Sequence, residues 1–190
     1  STEAENMKKL ELACIERCDA TVVVSESEIL SLKDLVTDGR VFYCPLIMEP
    51  QSSECSPKAR RDLVFVGGFK HSPNVDAITY FVKHVMPLIR KKGHDIKLFV
   101  VGAAAPPEVK NLECDDIIVM GHVQNLNKFL SDKRVSVTPL RFGAGVKGKI
   151  ASAMSAGLPT VATSTAIDGM GLSNNKNILI SDDPENFAEH

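Results

Sequence analysis

The sequence lacks an excess of charge of either sign, and it lacks a long uninterrupted apolar run. Its 22 lysines and arginines nearly balance 24 acidic residues, which leaves a formal net charge of −2. This balance excludes the broad basic field of a nucleic-acid-binding protein, so any anion site must be local. The longest apolar run, residues 98–107, is interrupted by Gly102 and ends in two prolines. A membrane-spanning helix needs about 20 apolar residues, so no transmembrane segment is predicted.

The sequence also lacks a cysteine framework. Its five cysteines, at positions 14, 18, 44, 55 and 114, are an odd number without the spacing of a disulfide scaffold. With no secretory signal pattern at the start, this predicts reduced thiols in a cytoplasmic protein. Cys14 and Cys18 could share a helix face, but no histidine or third cysteine lies nearby. Helix packing is therefore favoured over a metal site.

The composition is that of an ordinary globular protein, with 44% hydrophobic and 24% charged residues, but the chain divides into zones. Residues 1–44 predict a helix, a strand, a helix and a strand, over 3–17, 20–24, 26–36 and 40–44. Residues 45–61 carry prolines at 50 and 57 among serines and charges, which is typical of a linker. The first zone is too small for a domain of its own, so it is interpreted as the trailing part of a larger one.

Residues 62–190 alternate between strand patterns and helix patterns. Predicted strands cover 62–66, 96–101, 115–119, 134–138, 159–162 and 177–180, and predicted helices cover 75–91, 106–112, 125–131 and 146–156. In the longest helix, residues 78, 81, 82, 85 and 89 form one apolar stripe at helical spacing. The alternation predicts an α/β fold, a doubly wound parallel sheet with right-handed crossovers and helices on both faces.

The segment from Pro139 to Lys149 concentrates glycines and cations directly after the fourth predicted strand of this zone. It reads Pro-Leu-Arg-Phe-Gly-Ala-Gly-Val-Lys-Gly-Lys, with glycines at 143, 145 and 148. Glycines let backbone N–H groups approach a ligand closely. Lys147 and Lys149 fall in or beside the first turn of the next helix, where the macrodipole is already positive. An anion, most plausibly a phosphate, would offset this charge and bind the free N–H groups.

A second glycine-rich loop, residues 67–71, follows the first strand of this zone. In the usual 3-2-1-4-5-6 order of a doubly wound sheet, the first and fourth strands are neighbours, and their loops face each other. This predicts one crevice lined by Gly67, Gly68, Lys70, Arg141, Lys147 and Lys149. The alternative is two ordinary loops with solvated lysines, but position, glycines and charge together favour a ligand crevice.

Three further residues are candidates near this crevice. His71 could touch a phosphate, although a purely structural role is as compatible with its loop position. Val123 follows the third strand, where a nucleotide base could bond to the backbone. Ser152, three residues beyond Lys149, lies on a neighbouring helix face and could either reach the same ligand or be a plain surface serine.

Other catalytic patterns fit less well. Residues 143–149 match the first part of the P-loop of nucleoside triphosphatases, but Ile150 stands where a serine or threonine should hold magnesium. Residues 67–72 lack the Gly-x-Gly-x-x-Gly pattern of a dinucleotide site. No Ser-His-Asp order, carboxylate pair or metal cluster stands out. Any chemistry must therefore come from positioning and charge stabilisation, or from groups outside this chain.

Several segments together resemble the C-terminal, donor-binding half of retaining glycosyltransferases with the GT-B fold, called family 4 or group 1. The segments are Val-Val-Val-Ser-Glu-Ser-Glu at 22–28, Phe-Val-Gly-Gly-Phe-Lys-His-Ser-Pro-Asn-Val-Asp at 65–76, and residues 85–88, 98–102, 121–123, 139–150 and 153–163. The resemblance covers most of residues 20–190 and implies a Rossmann-like domain that binds a nucleotide sugar. On this resemblance, 1–44 are trailing elements of an N-terminal acceptor-side domain, 45–61 the interdomain linker, and 62–190 the donor domain, truncated at its C-terminal helices.

The resemblance also implies roles for individual residues and a reaction. It implies catalytic roles for Arg141 and Lys147, which match the loop that faces the donor diphosphate. It implies donor contacts from Gly67, Gly68, Val123, Lys149 and Ser152, and the loop patterns described above add Lys70, His71, Gly143 and Gly145 as candidate donor contacts. The implied donor is a UDP- or GDP-linked sugar, transferred with retention of anomeric configuration. No cofactor or metal is expected, because basic residues and a helix N-terminus stabilise the leaving diphosphate.

The sequence departs from this family in one important place. Family members commonly carry two glutamates in this region, the first of which falls at Gly143 or Ala144 and the second at Ser152. The second glutamate is expected to bind the ribose hydroxyls. A serine at this position brings no charge, so ribose binding should be weaker. A non-catalytic nucleotide- or sugar-binding relative is therefore one alternative, and a P-loop-like nucleoside triphosphatase is a less favoured one.

The function expected from the resemblance is that of a glycosyltransferase fragment. The isolated chain should bind rather than catalyse. With its preceding domain it would act on a glycan, lipid-linked or small-molecule acceptor, in glycan or polysaccharide biosynthesis. Nucleic acid is not an expected partner. The expected location is the cytoplasm, or the membrane periphery through the preceding domain.

Overall fold

A computed structural model of the protein describes residues 2–36, 39–51 and 55–190. The first zone contains α1 Glu3–Arg17, β1 Thr21–Val23, α2 Glu26–Leu32 and β2 Val41–Tyr43. The two strands are parallel and pair with each other, with Val22 opposite Phe42. All four elements predicted for residues 1–44 are therefore present in the predicted order. The predicted linker, 45–61, includes residues 52–54, which lie outside the described ranges, as do residues 37 and 38.

The remainder of the chain alternates strands and helices as predicted. Its strands are β3 Arg61–Val66, β4 Leu98–Val101, β5 Ile117–Gly121, β6 Lys133–Thr138, β7 Thr160–Ala162 and β8 Leu179–Ile180. Its helices are α3 Ser72–Tyr80, α4 Met86–Lys91, α5 Pro107–Lys110, α6 Leu126–Leu130, α7 Gly148–Ser155 and α8 Pro184–Glu189, with a π-helical segment at Phe81–Val85 and a 3₁₀ turn at Thr165–Ile167. No helix in the described ranges is both long and apolar enough to cross a membrane.

The six strands β3–β8 form one parallel sheet in the order β5-β4-β3-β6-β7-β8. Counted within this zone, that is the 3-2-1-4-5-6 order, so the predicted doubly wound α/β fold is confirmed. Alternate residues of β3 pack on opposite faces. Leu63 and Phe65 join the core that includes Ile78 and Phe81, whereas Val64 joins a second core that includes Leu130. Helices thus cover both faces, as expected for parallel strands.

The longest predicted helix, 75–91, is not a uniform α-helix. Helical structure runs from residue 72 to residue 91, but Phe81–Val85 is π-helical, and the N–H of Met86 bonds to the carbonyl of Phe81. The physical reason is Pro87, which has no N–H and whose ring would collide with the carbonyl of Lys83 in an α-helix. The wider π turn just before it relieves that collision. The predicted helix is therefore confirmed, and the structure adds a π-helical turn within it.

Candidate functional site

The loop after β3 and the loop after β6 lie at the same edge of the sheet. β3 and β6 are parallel neighbours, with Leu63 opposite Val135. Their carboxyl ends therefore lead into two adjacent loops, residues 67–71 and residues 139–147, which are called the first loop and the second loop below. This is the switch point of a doubly wound sheet, where ligands bind in such folds.

The Lys149 amine, on the first turn of α7, reaches across to α3. Its Nζ donates a hydrogen bond to Oδ1 of Asn74 and lies 4.8 Å from the centroid of the Phe65 ring. Burial, and after it the nearby Lys147 ammonium, lowers the pKa of the Lys149 amine from 10.5 to about 8. A poorly hydrated ammonium at the start of a helix attracts an anion more strongly than a solvated lysine does.

Asn74 connects that amine to the first loop. Its Nδ2 donates a hydrogen bond to the Gly68 carbonyl at 2.7 Å, while its Oδ1 accepts the bond from Lys149. A Cβ on Gly67 would lie 2.8 Å from Cγ of Asn74, so glycine is required there by the amide side chain. Gly68, in contrast, has open space where a Cβ would be. Lys149, Gly67 and Gly68 are thus brought together as predicted, through a residue that was not predicted.

The Lys147 side chain closes the second loop on itself. Its Nζ donates hydrogen bonds to the carbonyls of Gly143 at 3.4 Å, Ala144 at 3.1 Å and Gly145. Gly143 and Gly145 have φ of +123° and +76°, which L side chains rarely adopt, so the loop requires both glycines. Burial lowers the pKa of the Lys147 amine, and the attraction of Asp168 opposes this change.

The Arg141 guanidinium makes its contacts with α3. Its Nε donates to Oδ2 of Asp76 at 2.9 Å, and Nη2 is paired with Oδ1 of the same carboxylate. Its Cζ lies 4.9 Å from the centroid of the Tyr80 ring. The hydrogen bonds that the guanidinium donates to the Asp76 carboxylate raise the pKa of Arg141 above its already high value. Arg141 and Lys70 line an open groove along α3, which Lys149 does not line. The six predicted crevice residues therefore do not line one crevice: Arg141 and Lys70 line the groove along α3, and Lys149 lies outside it.

The three weaker candidates lie around these loops without bonds to the lysines. His71 is exposed and precedes α3, and its backbone N–H donates to the Gly68 carbonyl at 3.3 Å. Val123 is half-buried after β5 and packs on the second core. Ser152 is half-buried on α7, and within the described residues its hydroxyl has no hydrogen-bond partner.

Two positions that support the site were missed by the sequence predictions. Asn74 precedes Ile78 by four residues and so extends the apolar stripe of α3, yet it is a polar residue and only 8% exposed. A polar residue on a buried stripe is the signal that could have identified it. Gly102, after β4, is the second, because a Cβ there would lie 1.8 Å from the Gly67 carbonyl oxygen.

The described residues contain no group of three or more histidine, cysteine or acidic side chains placed to hold a metal ion. The groups that the two loops and α7 bring to this edge of the sheet are backbone groups, a helix N-terminus and cations. Such a set recognises anions.

Residues 60–190 match the sequence model of the family described as glycosyl transferases group 1. The chain belongs to this family. A curated relative is an uncharacterized 44.6 kDa protein in the cps region of Klebsiella pneumoniae, 28% identical over 138 residues, which are 68% of this chain and 36% of that protein. The family assignment confirms the resemblance predicted from the sequence.

Solved structures of GT-B glycosyltransferases share the fold. A variant of S. aureus TarM, in complex with fondaparinux, α-GlcNAc-glycerol and UDP, aligns with a TM-score of 0.77 at 14% identity, over 96% of this chain and 38% of TarM. WaaG, a glycosyltransferase involved in lipopolysaccharide biosynthesis, aligns with a TM-score of 0.62 at 18% identity, over 84% of this chain and 49% of WaaG. At these identities the likeness shows the fold alone. The chain spans between about a third and a half of the length of these proteins.

Proposed function

We propose that the chain binds the diphosphate of a nucleotide-sugar donor between the first and second loops. Together with a preceding domain, it would transfer the sugar to an acceptor with retention of anomeric configuration. The observation that carries this proposal is the poorly hydrated Lys149 ammonium at the start of α7, held by Asn74 beside the open backbone of Gly68. Family membership supports glycosyl transfer as the reaction.

The proposed chemistry follows from where charge develops. When the bond between the sugar and the diphosphate breaks, negative charge grows on the leaving phosphate. The Lys149 ammonium and the first N–H groups of α7 stabilise that charge, and their low hydration makes the effect larger. Arg141 and Lys147 remain the proposed catalytic cations. To act, Arg141 would exchange its bond to Asp76 for a bond to a phosphate oxygen, and Lys147 would do the same with its bonds to the second-loop carbonyls. With these charges the step needs no metal.

The proposed substrates and domain arrangement rest on the relatives. A UDP- or GDP-linked donor is supported by the UDP in the TarM complex, and a glycan or lipid-linked acceptor by the involvement of WaaG in lipopolysaccharide biosynthesis. We assign residues 1–44 to an acceptor-side domain, 45–61 to the linker and 62–190 to the donor domain. Parallel strands are ordinarily covered on both faces. Val22 and Phe42, 61% and 54% exposed on β1 and β2, favour such a larger first domain.

Thermal unfolding with added nucleotides tests the donor site. UDP or GDP should raise the Tm, ADP and CDP should do so less, and Lys149→Met should remove the shift. Lys176→Met is the matched control, because Lys176 is exposed at the opposite edge of the sheet, between Asn174 and Ile178. No shift with any nucleoside diphosphate or nucleotide sugar would contradict the proposal. For the whole protein, the anomeric configuration of the product, read by NMR, decides whether transfer proceeds with retention.

A non-catalytic nucleotide-binding relative is the second candidate, and Ser152 favours it. The half-buried hydroxyl stands where family members commonly have a glutamate, and it brings no charge to a ribose. Stronger UDP binding by the Ser152→Glu variant would support this candidate, whereas turnover by the whole protein would exclude it.

A nucleoside triphosphatase is disfavoured, because Ile150 is fully buried and offers no oxygen to magnesium. Magnesium-dependent ATP binding that is abolished by Lys149→Ala would support the nucleoside triphosphatase function instead.

A further inference from the structure

Asn74 is a buried polar residue that uses both ends of its amide. It lies on the first turn of α3 among buried neighbours such as Ala77 and Ile78, and only 8% of it is exposed. Its Nδ2 donates to the Gly68 carbonyl at 2.7 Å, and its Oδ1 accepts from Nζ of Lys149. Because a carbonyl only accepts and an ammonium only donates, these partners fix the orientation of the amide. One side chain thus joins the first loop, α3 and α7.

We propose that Asn74 is a positioning residue, which holds the Lys149 ammonium against the first loop and makes the two loops a single anion-binding unit. The close fit of Gly67 against the Asn74 side chain supports this, since any larger residue at 67 would push the amide away from its partners. The link to a donor diphosphate rests on the proposed function. The link between Asn74 and Lys149 rests on the contacts alone.

The neutrality of Asn74 is central to this role. Lys149 is faced by the Phe65 ring from β3, by Asn74 from α3 and by the Lys147 ammonium from the second loop. None of these neighbours carries a negative charge. The acidic residue on α3, Asp76, is paired with Arg141 instead. An amide holds the ammonium without neutralising it, so its positive charge is left for a ligand. An aspartate at 74 would hold it equally well and cancel that charge.

The test uses two substitutions that act in opposite directions on Lys149. NMR titration of the Lys149 amine in the 190-residue chain follows its protonation without any nucleotide. Asn74→Asp should move the midpoint to higher pH by about one pH unit or more, because a carboxylate within hydrogen-bond distance favours the ammonium. Asn74→Ala should move it to lower pH, because the acceptor that stabilises the charged form is lost. Asn127→Asp, exposed on α6, is the matched control and should leave the midpoint unchanged.

UDP affinity at pH 7, measured by calorimetry, supplies the second readout. Both Asn74→Asp and Asn74→Ala should weaken binding by about tenfold, the first by neutralising the ammonium and the second by releasing it. A midpoint that moves the same way in both variants, or in neither, would overturn the positioning role. If Asn74→Ala does not fold by circular dichroism, Asn74→Ser, whose hydroxyl is too short to reach the amine, replaces it with the same expected direction. Failure of the unsubstituted chain to bind any nucleoside diphosphate or nucleotide sugar would refute the proposed function, and the titration would still decide the role of Asn74.

Discussion

Replacing Lys149 by methionine should make the protein more stable at neutral pH while removing the proposed nucleotide binding. The pKa of the Lys149 amine is about 8 in the folded protein, against 10.5 for a free lysine, and burial is the main cause. The folded state therefore holds this proton less tightly than the unfolded chain does. Because the unfolded chain binds more protons between these two pKa values, this group makes stability rise with pH across that window.

The size of the effect follows from the same two values. The lowered pKa of Lys149 costs the folded state about 3 kcal/mol at pH 7, where the amine is protonated, and about 1 kcal/mol at pH 10, where the folded protein has lost this proton. Methionine has a similar length and no charge, so Lys149→Met removes this cost. It also leaves Oδ1 of Asn74 without its donor, a loss of about 1 kcal/mol. The variant should thus be about 2 kcal/mol more stable than the unsubstituted chain at pH 7, and equally stable at pH 10.

Urea denaturation followed by circular dichroism at pH 7, 8, 9 and 10 measures this difference, with a reductant present to keep the thiols reduced. Comparing the two chains at each pH removes the titration of all other groups. Lys176→Met, which removes an exposed lysine, should show no pH-dependent difference. A stability difference that is the same at pH 7 and pH 10, or a variant that is less stable at pH 7, would refute the reasoning.

Three further substitutions test contacts around the site. Arg60→Met should lower the free energy of unfolding by about 2 kcal/mol in urea denaturation, because this buried guanidinium caps two carbonyls after α7 at 2.7 and 3.3 Å. Gly102→Ala should lower it by about 3 kcal/mol and weaken UDP binding, because the new methyl would displace the Gly67 carbonyl. Asp76→Asn should strengthen UDP binding severalfold by calorimetry, because it releases the Arg141 guanidinium.

Each of these substitutions has a matched control. Arg17→Met removes the same charge from an exposed position at the end of α1 and should leave stability nearly unchanged. Gly68→Ala adds a methyl in open space, so it should spare stability and affect only ligand binding. Asp115→Asn removes an exposed carboxylate just before β5 and should not change UDP affinity. Equal effects of a substitution and its control would show that the contact named for it is not the cause.

The strand order could be predicted because it depends on patterns that are local in sequence. Apolar runs, helical stripes and glycine-rich turns alternate regularly after residue 61, and right-handed crossovers leave few arrangements for such a chain. The π-helical segment before Pro87 could not be read from the stripe, because residues 81, 82 and 85 satisfy either helical form. Choosing between the two requires the collision of the Pro87 ring with a carbonyl, which is a three-dimensional fact.

The candidate site was predictable only in outline. The meeting of the two loops follows from topology, which brought Gly67, Gly68 and Lys149 to one edge of the sheet. Topology does not predict which oxygen each cation contacts, because the partners of Lys149 and Arg141 lie on α3, which is distant in sequence. The amide of Asn74 was hidden by its position on an apolar stripe. Side-chain partners across elements are decided by packing, which a single sequence does not show.

The three cations of the second loop and α7 differ in what an anion must displace. Lys149 donates to a neutral amide and Lys147 to neutral carbonyls, so a phosphate oxygen can replace those acceptors without breaking an ion pair. Arg141 is held by the Asp76 carboxylate in a two-bond geometry, which a phosphate could take over only by leaving that carboxylate unpaired. A diphosphate between the loops would therefore recruit Lys149 and Lys147 first. Arg141 would contact the diphosphate only if its pairing with Asp76 were broken. Asp76 therefore determines whether the guanidinium binds a ligand or remains paired within the protein.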